Sequence, residues 1–464
     1  MTPQAMPRFQ HPNFLPVSDE LEAPNLTIHG HLPEGLTGTL YRNGPNLRFP
    51  GEGHWFTGDG MIHAIRLDCG AAHYSNRWVR TPKFLAEAKA GRALYRGFAG
   101  KHPDAPPDTP DDRNAANTHV VWHANRLMAL EEAHPPTAID PDDLATLDRT
   151  IPGLPPGPFT AHPKIDPKTG EMLFFGYNAA GPFSPELSFG VLYRAGRMRQ
   201  YTRFQAPYAS MVHDFMVTEH FVLFPVLPLT GSMERAARGQ PPYAWEPEKG
   251  AFIGVLRRDA PDAPIRWFQG DPCYIFHTVN AWEDGETLVA EVVAFAEPPL
   301  FPRADGMPGD PAKQRGHLTR WTFDLNGPDR FHQTQIDDLI AEFPRIDDRW
   351  AGRPQRHRWF ACMRQRDSTG AFDGIAHIDG ATGQRQIHWL RPGDGISEPV
   401  FAPDGPGEGE GWLLAVAYRA ATGNSELLIF NARAIEAGPL ASVELPHRVP
   451  FGFHGSWVPQ EVRS

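Results

Sequence analysis

The sequence predicts an all-β protein, and among all-β architectures a β-propeller accommodates it best. Three observations carry this. Apolar runs, mostly of five to eight residues and rich in β-branched and aromatic side chains, recur along the whole chain. Glycine and proline, 44 and 49 residues, punctuate those runs instead of forming blocks, as in many short strands joined by turns. Apolar spacing of the helical kind is scarce. So many strands in 464 residues overfill one β-sandwich, whereas a propeller absorbs them as four-stranded blades. No WD or kelch repeat marks the blades.

In chain order, GTLYRNG (38–44), MIHAIRL (61–67) and YSNRWVR (74–80) alternate or run apolar over strand length. FLAEAKAGRALY (84–95) keeps helical spacing and predicts a helix, whereas KHPDAPPDTPDDRNAAN (101–117) is a polar, proline-rich surface loop. THVVWHA and RLMALE predict the next strands, and EMLFFGYN and SFGVLYRA follow the turn DPKTGE. MVHDFMV, HFVLFPV and AFIGVLRR continue the series, with SMERAARG (232–239) as a short helix before the last. CYIFHTVNAW and TLVAEVVAFA flank the turn WEDGET, and HLTRWTFDL comes after them. DLIAEF (338–343) reads as one short helical turn. HRWFACM, GIAHIDG, QRQIHWL, GWLLAVAYRA, SELLIFNAR and ASVELPH complete the strands, broken by the loop DGPGEGEG (404–411) and a short helix at ARAIEAG (432–438). No composition shift marks a domain boundary. The expectation is one domain over residues 1–464, with an N-terminal extension over about the first 25.

Composition narrows the function. With 41% hydrophobic and 21% charged residues, the chain is globular in character. A formal charge of −11 argues against a nucleic-acid partner, which needs a basic face. Cys69, Cys273 and Cys362 are odd in number and far apart. They form no disulfide framework or CxxC site and suit a reducing, cytoplasmic setting. The start lacks a basic stretch followed by an apolar core, so no secretory leader is expected. The most apolar run, HFVLFPVLPL, is short and broken by prolines, which predicts no transmembrane segment and leaves peripheral membrane contact open. GPNLRFPGEG and FTGDG are glycine-rich but join no strand to a helix in a βαβ unit, so no nucleotide or other organic cofactor is expected.

Histidine is the informative residue. Among 21, four stand where a small or apolar approach meets a turn or strand: His162 in FTAHPKID, His213 in SMVHDFMV, His277 in YIFHTVNAW and His454 in FGFHGSWVP. Their spacing is nothing like a zinc finger or HExxH, so a shared metal requires an architecture that converges distant segments. Propeller inner strands do this. From the residues alone, His63, His123 and His377 compete with these four, and ordinary packing or hydrogen bonding accounts for any single one.

A wider set of motifs narrows the choice. LPEGLTGTLYRNGPN, HWFTGDGMIHA, NRWVRTPKF, ANTHVVWHANRLMALEE, AHPKIDPKTGEM, MVHDFMVTE, FHTVNAWEDG, EFPRID, SEPVF and FHGSWVP resemble, in this order and over nearly the whole chain, the carotenoid cleavage oxygenase family. The resemblance implies a seven-bladed β-propeller with a dome of loops and short helices over one end. It implies one Fe(II) held by His162, His213, His277 and His454, with Glu132, Glu342 and Glu398 behind His213, His277 and His454 in turn. A carboxylate on the far ring nitrogen of a ligating histidine fixes its tautomer and direction. The implied reaction is cleavage of an electron-rich carbon–carbon double bond with dioxygen, giving two carbonyl products.

FTAHPKIDPKTGEMLFFGYNAAG, PLTGSMERAARGQPPYAWEPEKGAFIGVLRR and IRWF resemble the bacterial isoeugenol- and stilbene-cleaving branch. That implies a small aromatic alkene such as isoeugenol, 4-vinylguaiacol or lignostilbene, with vanillin-like products. An apocarotenoid substrate is the alternative, and a non-catalytic binding propeller a third reading. Trp55, Phe56 and Phe276 are candidate pocket residues. Stilbene-cleaving relatives set a tyrosine and a lysine against the substrate phenol, and the matching positions are Phe98 and Glu131. Phenylalanine cannot hydrogen-bond a phenolate and glutamate repels one. Tyr95 would compensate for Phe98 if the segment were helical there.

Overall fold

In the computed structural model the described residues are 11–49, 54–147, 153–154, 157–365 and 370–463. They form seven sheets of three to six strands, the blades of the expected seven-bladed β-propeller, together with one separate two-stranded hairpin. The chain divides into two compact units, Met1–Pro152 with Trp359–Ser464, and Gly153–Arg358.

In the first unit, Gly38–Asn46 pairs on one side with Asp59–Asp68 and on the other with Gly455–Pro459, so the two ends of the chain share one sheet. Residues 11–25, the described part of the expected N-terminal extension, pack into this unit: His11 and Asn13 are buried, and Glu22–Ala23 pairs with the strand Ala71–Trp78. A second sheet runs from His119–His123 to Thr137–Ile139, and a third centres on Gly411–Arg419 and Asn424–Asn431. Leu40, Ile65, Leu67, Leu414, Leu427, Ile429 and Val443, all nearly inaccessible, form one apolar core of this unit. The expected helix at 84–95 runs Pro82–Ala90. Thr81 caps its start, and Gly91, at φ 65°, ends it in the left-handed conformation that glycine adopts at least cost. Residues 92–95 are therefore not helical.

In the second unit, three four-stranded antiparallel sheets follow one another in sequence. The first ends in Met198–Gln205, which the apolar pattern did not reveal because its residues alternate between half-buried and exposed. The second pairs Phe221–Val226 with Ala251–Arg257, and the third pairs Tyr274–Asp284 with Thr287–Phe295. Phe175, Phe215 and Phe224 are buried together in this unit, with Phe215 tilted against Phe175 at 4.9 Å and stacked on Phe224 at 6.2 Å between ring centroids. DLIAEF is not a helical turn. Ile340–Arg345 is a strand, as its isoleucine and phenylalanine favour. SMERAARG does contain a helix, Met233–Ala237, and ARAIEAG reduces to a single 3-10 turn, Ile435–Ala437.

Candidate metal centre

Three of the expected ligands lie in the unit Gly153–Arg358. His162 precedes the short strand Lys164–Ile165, and its backbone N–H donates to Thr160 Oγ1 at 2.9 Å. His213 is not on a strand. Of MVHDFMV only Met216–Val217 is strand, because the Asp214 carboxylate takes the Phe215 N–H at 2.7 Å in place of a ladder bond. His277 sits in Tyr274–Asp284, where the ladder slips once across it and again just beyond Thr278. The register runs Ile275↔Ala294, then Thr278↔Val292, then Asn280↔Glu291. Such bulges re-aim a side chain and raise local twist.

The result is a convergence of ring nitrogens. His162 Nε2 lies 3.1 Å from His213 Nε2, which lies 3.3 Å from His277 Nε2. Two ligand nitrogens about 2.1 Å from a shared ion and at right angles to each other would be about 3 Å apart. On the far side of His277, Nδ1 is hydrogen-bonded to Glu342 Oε2, so the proton belongs on Nδ1 and Nε2 keeps its lone pair. The same Oε2 accepts the Phe343 N–H, and the Phe343 ring stacks on His277 at 5.2 Å. Glu342 Oε1 is buried with no hydrogen-bond partner among the described residues. A buried carboxylate with an orphaned oxygen beside converging imidazole nitrogens fits a site built around a cation.

In the other unit, His454 carries the same outer pattern. Its Nδ1 lies 2.8 Å from Glu398 Oε1, while Glu398 Oε2 accepts the Gly455 N–H at 2.8 Å. Glycine is required at 455, since a Cβ there would meet Tyr41 O at 2.5 Å. Glu132, half-buried, follows the strand Arg126–Leu130 of this unit. Of the competing histidines, His63 is engaged by Tyr74, its Nδ1 2.7 Å from the hydroxyl, and His377 stacks on Trp359 at 5.6 Å.

The candidate pocket residues divide between the units. Trp55, Phe56 and Phe98 are half-buried in the first, where Phe453 lies 4.7 Å from Trp55 and 5.3 Å from Phe56. Phe276 is buried in the second, edge-on to His213 at 5.4 Å. Tyr95 does not act as a helical neighbour of Phe98. It bridges to Lys101, and its hydroxyl donates to Pro110 O at 2.7 Å. Glu131 is hydrogen-bonded to His134, a residue that the sequence reading passed over. Its signal was a histidine three residues after an acid. Lys164, Asp214 and Thr278 were passed over as well, although each stands one or two residues after an expected ligand.

The retinal pigment epithelial membrane protein family matches residues 14–459. The chain is 34% identical to isoeugenol monooxygenase of Pseudomonas putida, over 95% of this chain and 96% of that one. Its structure resembles lignostilbene dioxygenase of Pseudomonas brassicacearum with a TM-score of 0.90 at 32% identity, over 98% of both chains. It resembles cobalt-substituted Synechocystis apocarotenoid oxygenase with a TM-score of 0.86 at 28% identity, over 97% of this chain and 98% of that one. On these likenesses and the converging imidazoles, the chain belongs to the retinal pigment epithelial membrane protein family, that of the carotenoid cleavage oxygenases, and is an enzyme of its alkene-cleaving oxygenase kind.

Proposed function

We propose that His162, His213, His277 and His454 hold one Fe(II) ion, with Glu132, Glu342 and Glu398 orienting His213, His277 and His454. Within the unit Gly153–Arg358, His162, His213 and His277 each offer a ring nitrogen to one shared point. The observation that carries the reading is the trio of facing Nε2 atoms, backed at His277 by a buried carboxylate. Bound iron would supply dioxygen activation for cleavage of an electron-rich double bond into two carbonyls. The chain's own part is positioning and water exclusion. Phe276 and Phe343 wall His213 and His277 with apolar rings, and the Glu342 contact holds the His277 imidazole in one tautomer. The family match over residues 14–459 supports one working domain over the whole chain. The free cysteines Cys69, Cys273 and Cys362 suit a cytoplasmic enzyme.

The substrate we propose is a phenylpropenoid or stilbene, isoeugenol, 4-vinylguaiacol or a lignostilbene, yielding vanillin-like aldehydes. Likeness to the isoeugenol and lignostilbene enzymes supports it. An apocarotenoid is the second reading, favoured by one observation: Phe98 has no hydroxyl and Tyr95 spends its own on Pro110. The test is to give Fe(II)-loaded protein isoeugenol, 4-vinylguaiacol, a hydroxystilbene and an apocarotenal with dioxygen, and to identify the aldehydes. Vanillin or a hydroxybenzaldehyde is expected. Products from the apocarotenal alone would replace the first reading with the second.

A further inference from the structure

We infer that Asp214 is a positioning residue that ties the three histidine-bearing segments of the unit Gly153–Arg358 into one geometry, with Lys164 and Thr278 as its two anchors. The inference rests on the metal-site reading above and concerns groups that contact none of the ring nitrogens of that site.

The contacts are these. Asp214 follows His213 directly and is 2% exposed. Its Oδ1 accepts the Lys164 ammonium at 2.8 Å and its own neighbour's N–H, that of Phe215, at 2.7 Å. Its Oδ2 accepts the Thr278 N–H at 2.9 Å and the Thr278 hydroxyl at 2.8 Å. Lys164 stands two residues after His162, and Thr278 one residue after His277. One carboxylate therefore binds the backbone or side chain beside each of the three histidines, across sequence separations of 50 and 64 residues.

Three physical points make this a tie and not ordinary core satisfaction. First, Thr278 is where the strand slips register, and its N–H goes to Asp214, so the carboxylate fixes the bulge that flanks His277. Second, all four acceptances are charge-assisted, the stronger kind of hydrogen bond, and both oxygens are used twice. Third, the Lys164 charge balances the buried carboxylate, so the tie adds no net charge beside the histidines. A neutral amide cannot reproduce it. In Asp214→Asn, whichever side carries the NH2 group faces a donor, either the Lys164 ammonium and the Phe215 N–H or the Thr278 N–H.

Asp214→Asn is tested against wild type and His213→Ala by titrating metal-free protein with Co(II), reading both affinity and the ligand-field absorption spectrum. Wild type should bind one equivalent and His213→Ala should lose binding, which checks the metal reading by itself. Asp214→Asn is expected to bind about 10–100-fold more weakly with a changed spectrum. Thr278→Val, which lacks the hydroxyl, should shift the spectrum in the same direction, and Thr278→Ser, which retains it, should restore the wild-type spectrum. If Asp214→Asn does not fold, the Thr278 pair decides. Wild-type affinity and spectrum in Asp214→Asn, or in Thr278→Val where the first does not fold, would overturn the inference while leaving the metal site standing. Failure of wild type to bind at all would overturn the site and the inference together.

Discussion

Glu342 and Glu398 each meet the Nδ1 of a histidine, in different units, and divide their oxygens differently. Glu398 gives one oxygen to His454 Nδ1 and the other to the Gly455 N–H, so both are engaged. Glu342 sets a single oxygen against both His277 Nδ1 and the Phe343 N–H, and its second oxygen is orphaned. The histidine contact is common to both. What differs is the demand on the rest of the carboxylate: at 398 the negative group is needed on both sides, while at 342 one acceptor oxygen suffices. Two acids with the same histidine contact thus differ in how much of the carboxylate they need.

The largest effects should be shared. Glu342→Ala and Glu398→Ala each leave a buried imidazole N–H without its acceptor, and each should weaken metal binding about 10–100-fold by titration of metal-free protein. An effect at one position only would break the equivalence. Next comes Gly455→Ala, with no counterpart beside Glu342. Its Cβ would meet Tyr41 O at 2.5 Å, and denaturant unfolding should show a loss of about 1–3 kcal/mol.

Glutamine separates the two acids. In Glu398→Gln the amide donor must face either His454 or the Gly455 N–H, leaving a buried donor unsatisfied at about 1–3 kcal/mol. In Glu342→Gln the amide can take the place of orphaned Oε1 while the carbonyl keeps both bonds, so the loss should be smaller, under about 1 kcal/mol. Equal losses in urea unfolding would contradict the oxygen-by-oxygen account.

The smallest effect comes from a third histidine–glutamate pair, His134 with Glu131. Burial pulls the His134 pKa down, but the charge and hydrogen bond of Glu131, with Asp112 nearby, outweigh it and the neighbouring Arg113, leaving the imidazole raised above its usual 6.5. A raised folded value means that the pair stabilises fully below about pH 6.5 and loses that contribution as pH rises through the folded pKa. Ring-proton titration should put the His134 midpoint above 6.5, and Glu131→Gln should lower it. Here the neighbouring acid favours the cationic form of the imidazole, whereas a metal-ligating one must be neutral.

Legibility in the sequence followed physical cause. Buried strands such as His357–Met363 and Tyr274–Asp284 were readable because continuous apolar side chains leave few alternatives. Met198–Gln205 was not, since its inward side includes Gln200 and Thr202 and its outward side includes Tyr201, which blurs the apolar alternation of a half-buried strand. At DLIAEF the acidic start imitated a helix while tertiary pairing made a strand. The histidine set was chosen by its motif surroundings, since 21 histidines give no spacing signal of their own. His213 shows the remaining limit. The run around it was strand-like in pattern, yet its Asp214 carboxylate engages residues 50 and 64 positions away, contacts that no local pattern discloses.

The most direct test of the central claim is anaerobic Fe(II) titration of metal-free wild type and His277→Ala, with bound iron counted per chain. One tightly held iron per wild-type chain and none in His277→Ala is the predicted result. Equal iron in both, or none in either, would contradict it.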